Sequence, residues 1–563
     1  MDRFNLGTHA RVISTKSSET QRWFNLGLNW CFGFNKGEGI KCFKKALEFD
    51  SQCVMAHWGI AYGSGPFYNL TWREHGEEEA NASTRIAFDH IQMARALSHH
   101  ATELENQLVE ALACRIQKPH SVPPEEFDRW DDEYAAALRR VYYLNQDDHD
   151  VMALLIEALI TRTPRNLWDV KAGLPAKKSD VIEAVQLCDR SISLSNQRGE
   201  EKHSAVVHLH IHALEMSNEP QRAIESADAL STMCPDAGHL NHMPGHIYVL
   251  CGEYGRAKVA SERAIIANDK YLAYAGPFTF YTIACAHDLH LMMYTCMFMG
   301  RYNDSMAVAN KLCGLLTKEV LSVKGRPKFS MSLEGYYSMK AHVMVRFGRW
   351  DQIINEPLPD DPDLYLVSTA MNHYAKGIAH ATLKNFRAAD EERNLFDESM
   401  RRIPPHRRFF NNEAHRILAV GEKMLDGELE YHKGNYDAAY ALLRESVRLD
   451  DNLEYIEPWA WMHPPRHALA ALLMEQGRYG EAENIYRDDL GLSAAIQRCA
   501  QHPDNVWALH GLAECLQQRG ELKELSAVQK KLASALAIAD VPITSSCMCR
   551  TKASTQTATN CCS

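Results

Sequence analysis

The stretch CGEYGRA at positions 251–257 decides the fold. Its Gly252 and Tyr254 recur as Gly300 and Tyr302 in MGRYNDS, Gly434 and Tyr436 in KGNYDAA, Gly477 and Tyr479 in QGRYGEA, and Gly348 and Trp350 in FGRW. A glycine two residues before an aromatic is what a helical hairpin needs at its turn. The glycine ends the first helix without a Cβ penalty, and the aromatic opens the second helix and fills the gap between the two. Around the first of these turns Gly245, Tyr248, Ala257 and Ala264 keep a spacing of small and large residues, and Trp23, Leu26, Gly27, Trp30, Phe43 and Ala46 show the same spacing near the N-terminus. Weaker copies centre on Ala223, Ala389 and Gly520.

A period of about thirty-four residues with this pattern is that of the tetratricopeptide (TPR) hairpin. The expected fold is all-α, a TPR-like α-α superhelical solenoid of about nine or ten helical pairs. It would run continuously from residue 20 to 537, after a lead-in of residues 1–19 and before a flexible Cys/Ser/Thr-rich tail, 538–563. The Pro-rich segments QKPHSVPPEEFDRW, TPRNLWDVKAGLPAKK, EPLPDDPDL, RRIPPHRRFFNN and YIEPWAWMHPP are longer than such an array requires and are expected to fold over one face as lids.

Composition narrows the function. In 563 residues, 46% hydrophobic, 61 Lys+Arg against 72 Asp+Glu leave a formal charge of −11, which repels a phosphate backbone and argues against nucleic acid as a partner. The start, MDRFNLGTHARVISTKSSETQ, has no apolar core of signal-peptide type, and no segment offers the roughly 18 apolar residues of a membrane span. A soluble cytoplasmic protein is expected, with its oligomeric state left open. The 16 Cys form no C-x-x-C pair in the body and read as buried thiols. In the tail, Cys547, Cys549, Cys561 and Cys562 are candidates for acylation or loose metal binding, set against an inert tail; a prenylation box would need Cys at Asn560.

The 27 His are informative by position. In VHLHIHALE, His208, His212 and Glu215 project from one face of a helix; in GHLNHMPGHIYV, His239, His242 and His246 do the same, as do His287, His290 and Tyr294 in AHDLHLMMY. Counting back thirteen and ten residues from Gly252 reaches His239 and His242, and from Gly300 reaches His287 and His290. The same register puts His208, His212 and Glu215 on the inner set of the preceding helix and His342 on that of the following one. Neutral imidazole and carboxylate are the ligands of Zn²⁺, Fe²⁺, Mn²⁺ and Cu²⁺. A divalent transition metal is therefore the expected cofactor, with His212, His239, His242, His246, His287 and His290 as ligands and Glu215 and His208 as catalytic or tautomer-holding groups. The competing reading is that the imidazoles hydrogen-bond one another and backbone carbonyls, or line a groove for an acidic peptide.

Tyr294, His342, Glu428, Glu457 and Arg466 are the expected substrate-binding residues. Glu457, His463, Arg466 and His467 stand beside three aromatics at a pocket edge or in a Pro-constrained loop, and Glu428 and Glu514, the latter next to His510, fall on the inner register. No Gly-rich phosphate loop is present: GSGP and FGFNKGEG lack the Lys-Ser/Thr of a Walker motif, so no nucleotide cofactor is expected. H-E-x-x-H is absent as well.

FNLGLNWCFGFNKGEGIKCFKKALEFD, MAHWGIAYGSGPFYN, HIHALE, GHLNHMPGHIY and HDLHLMMYTCMFMGRY together resemble the tetratricopeptide repeat protein 38 family over residues 20–537. The resemblance implies divergent TPRs and protein interaction, and it includes the same histidines without supplying a reaction. Where relatives commonly show His-Asn, this chain has His287-Asp288, a further carboxylate or a helix-opening charge. Phe24 and Leu28 stand where the co-chaperone kind of TPR carries its clamp, which disfavours chaperone docking. The expected function is a metal-dependent enzyme acting on a small molecule in specialised metabolism; the alternative is a non-catalytic scaffold or adaptor with a peptide in its concave groove.

Overall fold

The computed structural model describes residues 3–323 and 327–550. The chain divides into two compact units, Met1–Ile247 with Glu262–Tyr274, and Tyr248–Ser261 with Ala275–Ser563. Within each, helical pairs such as Ser18–Phe32 with Lys36–Phe49 and Ala414–Lys433 with Tyr436–Asp450 stack in chain order, and first helices of several neighbouring pairs also touch, as in a TPR-like α-α solenoid. Sheet among the described residues is confined to two hairpins of two-residue strands, Trp168–Asp169 with Leu174–Pro175 and Arg408–Phe409 with Asn412–Glu413.

The turn signal is read correctly by the chain. Gly252, Gly300, Gly348, Gly434, Gly477 and Gly520 all have φ between 61° and 91°, where a side chain would be strained. Tyr254, Tyr302, Trp350, Tyr436 and Tyr479 each begin the next helix. The pairs formed by Val54–Ser64 with Glu77–Ala96, Glu103–Arg115 with Pro124–Leu144, and His149–Thr161 with Val181–Arg198 have no glycine two residues before a helix-opening aromatic, Gly65 and Phe67 lying in a loop, and so fall outside the turn-based reading.

Small-against-large packing holds the first unit together. The Phe43 ring, fully buried, lies between two glycines of successive first helices; a Cβ at Gly27 or Gly59 would come within 2.7 Å of it. Gly27→Ala is therefore expected to destabilise the first unit by about 1–3 kcal/mol through overpacking, read as a lowered denaturant midpoint at unchanged slope.

Two expectations are corrected. YIEPWAWMHPP is no lid: Tyr455, Trp459, Trp461, Met462 and His463 are core residues of the second unit. The tail is packed through residue 550, with Ile543, Ser546, Cys547 and Cys549 buried, while residues 551–563, including Cys561 and Cys562, lie outside the described residues. Among the described residues no helix is long and apolar enough to cross a membrane.

Candidate functional site

The helix Ser204–Leu214 is buried on every face, so its histidines enter the protein interior and not the wall of an open groove. His208 and His212 lie one turn apart on it, and Glu215 follows at its C-cap. The next first helix, Gly238–Leu250, contributes His239, His242 and His246. All six side chains belong to the first unit, and none is more than 3% exposed.

Hydrogen-bond partners fix the tautomers. His208 Nδ1–H donates to Phe32 O (3.1 Å) and His212 Nδ1–H donates to Glu215 Oε1 (3.0 Å), so each ring keeps its lone pair on Nε2. His208 Nε2 stands 3.0 Å from His239 Nε2. His212 Nε2 is buried without a hydrogen-bond partner. His208, His212 and His239 bring three ligand nitrogens within 4.8 Å of one another. Four ligands at about 2.0 Å from a tetrahedral ion would be separated by about 3.3 Å, so small rotations close the set.

The remaining pair is arranged differently. His246 Nδ1–H donates to Glu215 Oε2 (2.5 Å), which leaves His246 Nε2 to accept from His242 Nε2–H at 2.6 Å. His242, His246, Glu215 and His212 thus form one hydrogen-bonded chain, with the carboxylate holding two imidazoles. Burial pushes His208 and His212 well below the usual imidazole range, with the His212 charge adding to the first and the His246 charge to the second. Both rings are neutral at pH 7. Burial raises the Glu215 carboxyl, opposed by the charge and hydrogen bond of His246.

Phe34 and Tyr68 complete the wall. Phe34 stacks on His212 and His239 at centroid distances of 5.7 and 5.1 Å and meets His208 edge-on at 4.4 Å; Tyr68 lies 4.6 Å from His212. Phe34 holds φ at 59°, a strained value for a non-glycine residue that the packed imidazoles keep in place. Sequence reading missed both aromatics, because each comes from a loop brought in by tertiary packing. The only signal was the G-F-N turn after the first helix.

The other expected residues fall in the second unit. His287 is half-buried on the helix Thr282–Phe298, and Asp288, in the same helix past its first turn, is fully buried and so is no helix-opening charge. His290 stacks on Phe410 (5.1 Å) and meets Tyr336 edge-on (5.5 Å). Neither ring nitrogen of His290 or of His342 has a hydrogen-bond partner, and burial pushes both rings down to about 3. Tyr294 packs on Phe298 at 4.6 Å. Glu428 and Glu457 are buried. Arg466 gives Nη2 to both oxygens of Asp451 at 2.7 and 2.9 Å, and Arg550 gives its two terminal nitrogens to Glu514 at 2.8 and 3.0 Å.

A cluster the sequence reading did not single out lines a cavity of about 550 Å³ in the first unit. There His9 and His203 both reach Asp150 Oδ1, at 2.9 and 3.2 Å, and Arg11 takes Oδ2 at 2.9 Å. Every oxygen of that carboxylate is used by the protein. The node fastens the N-terminal segment to the helix His149–Thr161, in contrast to the open nitrogen of His212.

No family model and no curated protein matches the chain. Among solved structures, the human IFIT1 dimer with m7Gppp-AAAA is similar over 94% of this chain and 91% of its own, at 10% identity and a TM-score of 0.29. Yeast Tom70 is similar over 92% and 93%, at 11% identity and a TM-score of 0.26. Naa15/Naa10 bound to HypK-THB is similar over 93% of this chain and 71% of that one, at 11% identity and a TM-score of 0.20.

Proposed function

We propose that the first unit binds a divalent transition metal on His208, His212 and His239, and that the protein is a metal-dependent enzyme acting on a small molecule. The observation that carries this reading is the buried Nε2 of His212, without a partner of its own and within ligand reach of two further imidazoles. An acceptor nitrogen held in the interior without a donor is costly, and a metal ion is what three neutral imidazoles can donate their lone pairs to. When bound, the ion supplies Lewis acidity and one position outside the three protein ligands.

The chain's own groups do the rest. Glu215 orients His212 by accepting its Nδ1–H, as carboxylates do behind metal-bound imidazoles. The His242–His246–Glu215 chain is suited to take a proton from the site and pass it between imidazoles without a buried charge being stranded. Phe34 and Tyr68 exclude water. In this assignment His242 and His246, joined at 2.6 Å, serve the relay, while His208, His212 and His239 hold the ion.

Glu215→Gln tests this assignment. The amide offers an N–H where one imidazole N–H now donates, so metal affinity should fall about 10–100-fold by competition titration while the helical content stays unchanged. Equal affinity in variant and wild type would remove Glu215 from the site.

A further inference from the structure

The cavity of about 550 Å³ in the first unit is lined by three segments far apart in sequence. The N-terminal segment brings His9 and Arg11, the helix His149–Thr161 brings Asp150, and His203 stands at the N-cap of the helix Ser204–Leu214. His9 Nε2 and His203 Nε2 both face Asp150 Oδ1, at 2.9 and 3.2 Å, and the two rings meet edge-on with centroids 4.3 Å apart. One ligand atom from each of the three residues lies within 4.8 Å of the other two. Asp150 and His203 are buried, so the cluster is built into the protein and not laid on its surface.

Two imidazoles on one carboxylate oxygen already fasten the segment, and the surroundings go further. Both nitrogen–oxygen spacings are close to the roughly 3.3 Å that separates ligands standing about 2.0 Å from a tetrahedral ion. Arg11 Nη1 takes Asp150 Oδ2 at 2.9 Å, which leaves Oδ1 alone for the imidazoles, and both oxygens of Asp148, at 3.1 Å, answer the Arg11 charge. Carboxylates at metal sites are held by such outer hydrogen bonds. His149 lines the same cavity, its Nδ1 2.7 Å from Ser191 Oγ and its ring 20° from the plane of His203. Two buried nitrogens of the lining, His149 Nε2 and His203 Nδ1, have no hydrogen-bond partner in the protein. Polar atoms left bare around a cavity are costly unless the cavity holds something that bonds them.

We infer that His9, His203 and Asp150 bind a divalent transition metal whose open coordination side faces this cavity. Two imidazoles and one carboxylate are the protein share of catalytic zinc and non-haem iron sites, which keep a position for water or substrate. Each neutral ring gives the ion the lone pair of Nε2 and carries its proton on Nδ1, so binding needs no oxidant or reductant. Two neutral ligands and one carboxylate leave the dication one positive charge, and Glu200 and Glu201 on the cavity lining are there to answer it. The site shares no residue with His208, His212 and His239 and does not rest on that cluster.

Zinc titration of the untagged full-length protein against a chelating indicator tests it. His9→Gln/His203→Gln keeps a side-chain N–H toward Asp150 and removes both imidazole lone pairs, so the fold should hold while the ligands are lost. The expected stoichiometry is about two zinc per chain in wild type, about one in His9→Gln/His203→Gln or in His212→Ala/His239→Ala, and none when the four substitutions are combined. Zinc should also raise the melting temperature of His212→Ala/His239→Ala, and adding His9→Gln/His203→Gln should abolish that rise. His9→Gln alone, in a segment that precedes the first helix, should already empty the site without touching a helix. A His212→Ala/His239→Ala protein that binds no zinc, or that binds it equally after His9→Gln/His203→Gln, would overturn the inference. Zinc lost in His9→Gln/His203→Gln and unchanged in His212→Ala/His239→Ala would support it and overturn the three-imidazole site instead.

Discussion

Alanine at both His212 and His239 is expected to lower the metal content of the purified, untagged protein by about one equivalent per chain, read by elemental mass spectrometry. Three imidazoles are the whole protein contribution to the proposed ion, and one remaining ligand cannot hold a divalent metal against buffer. The fold should survive, because the helices Ser204–Leu214 and Gly238–Leu250 are anchored by apolar residues such as Val207, Ile211, Leu240 and Ile247. A cooperative melt with unchanged far-ultraviolet signal and one equivalent fewer metal is the predicted pair of outcomes. Metal content equal to wild type would show that the cluster is a hydrogen-bonded packing element.

The second large effect concerns stability. The fully buried Asp489 carboxylate accepts His467 Nε2–H (2.7 Å), His502 Nδ1–H (2.7 Å) and Asn505 Nδ2–H (2.9 Å), while its backbone O takes the His502 N–H (2.6 Å). Burial alone would raise its carboxyl, but His467 and His502 overcome that and hold it far below the usual carboxylate range. Asp489→Asn keeps the shape and turns an N–H toward donors, so the second unit should lose about 3–5 kcal/mol at neutral pH. The pH dependence has a definite sign. Above pH about 4 the carboxylate is ionised in folded and unfolded chains alike, and its full contribution is present. Below that value the unfolded chain binds a proton that the folded one refuses, so the gap between wild type and variant should narrow as the pH falls. Chemical denaturation at pH 7 and pH 3 measures both.

Much of this architecture can be read from local chemistry. Gly300 or Gly434 announces a hairpin because a left-handed residue at a helix end is a local requirement, visible wherever glycine precedes the next helix's aromatic by two. The histidine register works for the same reason: His208, His212 and Glu215 share a helix face, and His239, His242 and His246 share another, so stacking of consecutive pairs brings them together. Where the stack supplies the rest, sequence is silent. Phe34 and Tyr68 reach the imidazoles from loops, and Arg466 looks available until Asp451, fifteen residues earlier, is seen to hold it. The pairs between Val54 and Arg198 turn without glycine signals, and their packing rests on Trp58, Trp130 and the buried Lys36–Glu157 pair, whose Nζ–Oε1 separation of 3.3 Å joins helices far apart in sequence. Cys547 and Cys549 sit in a Ser/Thr-rich tail whose composition reads as unpacked; the Arg346, Tyr486 and Glu514 that hold it are 36 to 200 residues away.

A metal ion held by three imidazoles of the first unit has a distinct X-ray absorption signature. In untagged His9→Gln/His203→Gln protein loaded with one equivalent of zinc, the expected first shell is dominated by nitrogen at about 2.0–2.1 Å, with the outer scattering of imidazole rings, and disappears with alanine at His212 and His239. No zinc retained after loading, or a shell without imidazole scattering, would contradict it.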